Sequence, residues 1–265
     1  MPRCQEGMAR PGCQQAVFRF YEELNDFLSP DRRKHAFVHP FTGTPSVKDV
    51  IEALGVPHTE VDLILVDGRS VGFDHRLRGG ERVAVYPVFE ALDISPLNRL
   101  RPVPLRRTRF ILDVHLGKLA RYLRLMGFDA LYRNDYDDST IIGLARTEHR
   151  IILTRDRGLL KHGSVTHGYW LRNTEPRSQL LEIVRAFDLR RSARPFSRCL
   201  QCNVLLESVD KGTILADLPP RVRQACESFA RCPGCQKLYW PGTHYQQMKA
   251  LLVRLNLFPG PGQYT

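Results

Sequence analysis

Three aspartates, Asp113, Asp138 and Asp156, have the residue type and placement that suit metal chemistry. Asp113 ends the run Arg109-Phe110-Ile111-Leu112-Asp113, and Asp156 ends Arg150-Ile151-Ile152-Leu153-Thr154-Arg155-Asp156. Short apolar runs flanked by helical patterns read as buried parallel strands. Open parallel sheets collect their chemistry beyond the carboxyl ends of the strands. Carboxylates gathered there can hold a hard divalent cation, Mg²⁺ or Mn²⁺, through oxygen ligands. Asp137 lies next to Asp138 and adds to the same cluster of acids. Helix capping competes with metal binding as a reading of Asp138 and Asp156. Asp113 lacks that alternative, because a carboxylate closing a buried strand is costly unless it is paired or metal-bound.

A second set of candidate ligands lies further on. Cys199-Leu200-Gln201-Cys202 and Cys232-Pro233-Gly234-Cys235 are two Cys-x-x-Cys pairs separated by 29 residues. That spacer exceeds the roughly fifteen to twenty residues usual in a zinc ribbon, so a hairpin carrying an inserted loop or short helix is expected. Four thiolates make a closed tetrahedral Zn²⁺ site with a structural role. His244 is expected to cap or pack. Tyr239 and Trp240 suit packing of the small module better than stacking on bases, and Cys226 is expected simply to pack.

The elements that must position these groups follow from periodicity. A helix over residues 115–126 places Leu116, Leu119, Ala120 and Leu123 on one face. Lys118, Arg121 and Arg124 are expected on the opposite face, where they and Arg155 could hold a phosphate backbone. A short strand at 129–132 and a helix at 141–148 follow, the latter with Asp138 as its N-cap. Further on, a turn or helix at 157–160, a strand at 170–172 and helices at 179–187 and 246–255 complete the pattern. The earlier part reads as strands at 16–20 and 36–41, a helix at 47–54 capped by Ser46, and strands at 61–66, 69–71 and 83–88. Asp67-Gly68 is a hairpin turn. That order describes a small β-grasp unit.

Charge divides the chain. Residues 1–95 carry 11 Lys+Arg and 14 Asp+Glu, whereas residues 96–265 carry 28 and 14, so all the excess of the net +11 sits with the carboxylates and cysteines. A basic body around an acidic site suits a polyanionic substrate, although a solvated basic surface has the same composition. No run of eighteen apolar residues is present, so no membrane span is expected. The first twenty residues lack the apolar core of a secretion signal. A cytoplasmic location follows as the expectation, and seven cysteines there favour metal over disulfides.

Two resemblances sharpen this reading. Residues 46–57 (Ser46 to Pro57), with Leu65-Val66-Asp67-Gly68 and Val83-Ala84-Val85-Tyr86-Pro87-Val88, resemble the ubiquitin-like domain found ahead of Mut-seven C-terminal RNase domains. They are also distantly similar to small sulfur carriers. A carrier needs a free terminal Gly-Gly, whereas Gly79-Gly80 is internal, so docking of a protein partner or orienting of RNA is the better expectation. Leu112-Asp113, Leu116-Gly117-Lys118-Leu119-Ala120-Arg121-Tyr122-Leu123-Arg124, Gly127-Phe128-Asp129, Asp138 with Ile141, and Leu153-Thr154-Arg155-Asp156 resemble the Mut-seven C-terminal RNase family itself.

That second resemblance implies a PIN-like α/β/α nuclease with a central parallel sheet. It also implies Mg²⁺ or Mn²⁺ held by Asp113, Asp138 and Asp156, and RNA products with 5′-phosphate and 3′-hydroxyl ends. PIN nucleases usually carry one more acid on an intervening helix. No residue here matches it, and Asp135 and Asp137 are the substitutes.

The expected organisation is a tail at 1–15, a ubiquitin-like β-grasp domain at 16–92 and a basic proline-containing linker at 93–108. A nuclease domain at 109–192, a zinc ribbon at 193–248 and a helix end with tail at 249–265 follow. The expected activity is metal-dependent hydrolysis of single-stranded RNA. The alternative is a non-catalytic RNA-binding adaptor using the same basic surface, and DNA as substrate stays open.

Overall fold

The computed structural model describes residues 13–87 and 108–258. Residues 1–12 of the tail expected at 1–15, all of the linker expected at 93–108 but its last residue, and residues 259–265 lie outside the described residues. The chain divides into two compact units, Met1–Arg107 with Ile142–Trp170, and Thr108–Ile141 with Leu171–Thr265. It is α/β overall.

The first unit opens with β1 (Cys13–Phe20), β2 (Phe37–Thr42), α1 (Val47–Ala53), β3 (Val61–Val66), β4 (Arg69–Ser70) and β5 (Arg82–Pro87). The sheet order is β2-β1-β5-β3-β4. β1 runs parallel to β5 and antiparallel to β2, and β3 runs antiparallel to β4 and β5. β1 begins at Cys13 rather than at residue 16, because Cys13, Gln14 and Gln15 pair with Thr42, Phe41 and Pro40. Period-two burial of Ala16, Phe18 and Phe20 turns one face of β1 toward Val47, Val50 and Ile51 of α1. Ser46 caps α1 in a reciprocal box with Asp49. Asp67 (φ 47°) and Gly68 (φ 80°) both take positive φ, the conformation a two-residue hairpin turn requires. A 3-10 segment, Glu22–Phe27, was not expected; Asn25 stabilises it by donating to the carbonyls of Phe20 and Glu22.

The same unit holds β8 (Ile151–Thr154), α4 (Arg157–Lys161) and β9 (Gly168–Trp170), with β8 parallel to β9. β-Grasp residues grip this segment. The Trp170 ring lies 4.9 Å from Phe27, and the Arg157 guanidinium sits 4.1 Å over Trp170 and 5.0 Å over Phe27. Lys161 Nζ donates to the Glu52 carbonyl at 3.0 Å, and the Glu60 carboxylate accepts from the Trp170 backbone N–H. His58 is buried, with Nδ1 2.6 Å from Glu52 Oε1 and Nε2 donating to the Val165 carbonyl at 2.7 Å.

Burial lowers the pKa of His58 below its ordinary 6.5, although the Val165 carbonyl and Glu52 oppose it. Burial, followed by Arg32, lowers that of His39. Each residue therefore binds its proton more readily unfolded than folded, so stability holds above pH 6.5 and declines as pH falls through and below it. We expect the melting temperature to drop between about pH 7 and pH 5, and the drop to shrink in His58→Gln and His39→Gln. Thermal melts across that range check this; equal pH dependence in wild type and both variants would contradict it.

The second unit contains β6 (Arg109–Leu112), α2 (Gly117–Leu125) and β7 (Asp129–Leu131), with β6 and β7 parallel. Two adjacent parallel strands need a crossover connection, which α2 supplies. Leu116, Leu119, Ala120 and Leu123 are all buried, as the helical spacing predicts. α5 (Pro176–Ala186) packs on α2, and Phe110 meets Phe128 and Phe187 edge-on. Gly127 ends the α2 region with φ 91°, and a Cβ there would collide with the Arg194 carbonyl. That close approach lets the N–H groups of Arg194 and Phe196 reach the Met126 and Leu125 carbonyls at the helix end. α3 (Asp138–Glu148) starts in this unit and ends in the other.

The cysteine-bearing region folds as β10 (Glu207–Val209), α6 (Lys211–Ile214), α7 (Pro220–Ala225), β11 (Phe229–Arg231) and β12 (Leu238–Tyr239), followed by α8 (Thr243–Arg254). The three strands form an antiparallel sheet in the order β10-β11-β12. The long spacer between the cysteine pairs is thus filled by the strands β10 and β11 with two short α-helices between them. A small core of Ile214, Leu218, Cys226 and Phe229 supports them, with Trp240 packed against it.

Candidate functional site

Asp113 directly follows β6 and is half-buried; its side chain does not cap the 3-10 turn that it precedes. Tyr132 donates to the Val114 carbonyl at 2.8 Å, and its ring lies so close over Gly117 that a Cβ would overlap it. The turn after Asp113 is therefore fixed from the β7 side. Asp138 is exposed and is the first residue of α3.

The capping expectation for Asp138 is corrected. Asp137 is the cap: its Oδ1 accepts from the Thr140 N–H at 2.7 Å and from the Ser139 hydroxyl at 3.0 Å. These bonds, the one from Thr140 first, hold the Asp137 carboxyl below the usual range. The Asp138 side chain is consequently not needed for capping. Asp135 is engaged by Arg133 through two hydrogen bonds of 2.9 and 2.7 Å, which lower its pKa.

Asp156 is exposed in the first unit and caps α4, its Oδ1 accepting from the Gly158 N–H at 2.6 Å. Its own N–H donates to the Thr154 hydroxyl at 2.9 Å. Asp113 and Asp138 thus belong to one unit and Asp156 to the other.

The cationic face of α2 differs from expectation at one position. Lys118 and Arg121 are exposed, but Arg124 is only 4% exposed. Its Nε donates to the Ala130 carbonyl at 2.9 Å, and its Nη1 donates to the Leu200 and Gln201 carbonyls at 3.1 and 2.9 Å. Burial lowers its pKa, though a guanidinium stays charged at any working pH. Arg124 is a tie to the first cysteine knuckle rather than an outward-facing cation; three backbone acceptors explain why its burial is tolerated. Arg155 is exposed, and its carbonyl accepts from the Trp170 indole at 3.1 Å.

Lys118 and Arg121 line a cavity of about 970 Å³, whose lining also includes Val114, the residue after Asp113. Residue types alone did not point to Tyr132, Arg133 and Lys237, which share that lining with Tyr239. The signal available was positional: Arg133 follows the β7 run, and Lys237 stands two residues after Cys235.

The four cysteines Cys199, Cys202, Cys232 and Cys235 do come together, with their Sγ atoms all within 4.8 Å of one another. Cys199 Sγ lies 3.8 Å from Cys235 Sγ. A tetrahedron with metal–sulfur bonds of about 2.3 Å has edges of about 3.8 Å. Within each knuckle the second cysteine N–H points at the first sulfur, Cys202 to Cys199 at 3.3 Å and Cys235 to Cys232 at 3.5 Å. Burial raises the Cys199 thiol, but hydrogen bonds from the Tyr239 hydroxyl and the Cys202 N–H outweigh it and bring it to about 6. Cys202, hydrogen-bonded to Cys235 and close to Cys199, is pushed up to about 12. Four thiols so crowded cannot all ionise unaided, and a cation such as zinc would offset the charge. The donor set and its spacing fit a structural metal.

Among the described residues, no helix is long and apolar enough to cross a membrane. Residues 108–252 match the Mut7-C RNAse domain, and residues 13–93 match the Mut7-C ubiquitin domain. No curated protein and no solved structure matches the chain. With more than half of its length inside the first match, the chain belongs to the Mut7-C RNAse domain family and carries a Mut7-C ubiquitin domain ahead of that region.

Proposed function

We propose that this protein is a divalent-metal-dependent ribonuclease that hydrolyses single-stranded RNA in the cytoplasm. The observation that carries the reading is the match of residues 108–252 to an RNAse domain, a span that includes all three candidate acids. In this proposal Asp113, Asp138 and Asp156 hold Mg²⁺ or Mn²⁺, and Asp137 is the further acid, because the Asp135 carboxylate is held by Arg133. When bound, the ion supplies activation of water and neutralisation of phosphate charge.

The chain's own groups do the rest. Lys118, Arg121 and Arg155 are placed to hold phosphates. The Thr154 hydroxyl and the Gly158 N–H orient Asp156 from both sides. The four cysteines hold Zn²⁺ in a closed structural site. Functionally, residues 16–92 act as the ubiquitin-like domain, 93–108 as linker, 109–192 as nuclease and 193–248 as ribbon. The ubiquitin-like domain serves a protein partner and, through Phe27, Glu52, His58 and Glu60, also steadies the segment that Asp156 leads into.

The test is incubation of the zinc-loaded protein with end-labelled single-stranded RNA and Mn²⁺, with and without a chelator. Cleavage that requires Mn²⁺ is the expected result. Binding without cleavage at any divalent concentration would replace the enzyme with an RNA-binding adaptor.

A further inference from the structure

The cavity lined by Val114, Lys118 and Arg121 takes cations from more than one element and has no carboxylate in its lining. α2 contributes Lys118 and Arg121, the segment after β7 contributes Arg133, and the second cysteine knuckle with β12 contributes Lys237 and Tyr239. Among the described residues none of the ion pairs involves Lys118, Arg121 or Lys237. Arg133 is paired with Asp135, but Lys118, Arg121 and Lys237, brought into one concave lining without carboxylate partners, repel one another, and a polyanion relieves that repulsion. A metal cation or a cationic peptide would worsen it. Tyr132 and Tyr239 add aromatic groups to the lining, the combination single-stranded nucleic acid uses for base stacking beside phosphate contacts.

The walls are held together by a dedicated set of polar contacts. Arg124 joins β7 to the first knuckle through Ala130, Leu200 and Gln201. Asn203 donates to Asp129 at 2.7 Å and accepts from the Ala130 N–H at 3.0 Å. Arg198 donates to the Gly127 carbonyl at 3.3 Å. The ribbon is thus seated on the α2–β7 segment by side chains that reach backbone groups, so the cavity is formed before any ligand arrives.

We propose that this cavity is a binding cleft for the backbone of single-stranded RNA, with Lys237 and Tyr239 of the ribbon as substrate-binding residues alongside Lys118 and Arg121. The proposal rests on RNA as the substrate and assigns the ribbon a part in binding it beyond structural support. Arg124 is a positioning residue that fixes the spacing of the walls.

Fluorescence anisotropy with a labelled single-stranded RNA tests it, on zinc-loaded protein without added Mg²⁺ or Mn²⁺, across a series of salt concentrations. Lys237→Ala should weaken binding about three- to tenfold. It should also flatten the plot of log K against log salt by about 0.7, the loss of one phosphate contact on a single strand. Lys118→Ala should act alike. Lys249→Ala, on α8 and outside the lining, should change neither quantity. Zinc content and melting temperature unchanged in Lys237→Ala show that the ribbon is intact.

Wild-type affinity and salt slope in Lys237→Ala would overturn the cleft while leaving the nuclease reading standing. A wild-type protein that binds no RNA would overturn both. A specific loss in Lys237→Ala from a protein that never cleaves RNA would support the cleft and sink the nuclease.

Discussion

Asp113→Asn should lower the rate of Mn²⁺-dependent RNA cleavage by roughly two orders of magnitude or more, because metal-assisted charge stabilisation contributes several kcal/mol to such a barrier. RNA affinity measured without divalent ions should stay at the wild-type level, since the proposed phosphate-binding cations are other residues. The substitution keeps the shape of the side chain and removes one negative charge, the property a hard cation needs. Asp113 sits after β6, does not cap the following turn, and that turn is braced independently by Tyr132 on Val114. Asp138→Asn should behave alike, because Asp137 does the capping of α3. Asp135→Asn is the contrasting variant: its carboxylate is engaged with Arg133 on the surface, and cleavage should remain near wild type. Rates measured at saturating RNA separate these cases. An Asp113→Asn protein that cleaves at the wild-type rate would remove this residue from the chemistry.

The second large effect is expected at the thiolates. Cys232→Ser should release zinc and unfold the ribbon, because apparent binding free energies of about 10–16 kcal/mol for structural zinc are folding free energies in small modules. The core available without metal is only Ile214, Leu218, Cys226 and Phe229 with a few partners, too little to hold the region alone. Loss of the first knuckle would also strip Arg124 of two of its three carbonyl partners and leave a buried guanidinium short of acceptors. Damage therefore spreads into the α2–β7 segment. Cys226→Ser is the control: Cys226 is buried in the module's core but is not one of the four clustered cysteines, so zinc should be retained with milder destabilisation. Metal analysis combined with amide hydrogen exchange over residues 197–254 reads both outcomes. Full zinc content in Cys232→Ser would contradict the four-thiolate site.

Local chemistry made much of this architecture legible. The apolar stripe of α2, the Ser46 cap, the Asp67-Gly68 hairpin and the cysteine pairs each rest on spacing or on one residue's own conformational preference, and each is found in the structure. What was not legible depended on long-range partners. Arg124 has the helical phase of a near-surface cation, but carbonyls 76 and 77 residues away draw it inside. Asp137 and Asp138 are adjacent acids, and only the backbone path decides which one caps.

The strand expected around Trp170 is present as β9, parallel to β8, but what it packs against was not legible. Its contacts with Phe27 and Glu60 join residues more than a hundred positions apart, which no periodicity encodes. Lys237 was hidden for a related reason, because a lone lysine after a knuckle acquires meaning only when the fold puts it in a cavity with Lys118 and Arg121.

The central claim, that far-separated aspartates hold a divalent ion, is most directly tested by electron paramagnetic resonance of Mn²⁺ titrated into the zinc-loaded protein. Wild type should bind Mn²⁺ saturably with its zinc content unchanged, and Asp113→Asn and Asp156→Asn should each lose that binding. Equal Mn²⁺ uptake by wild type and both variants would contradict the account.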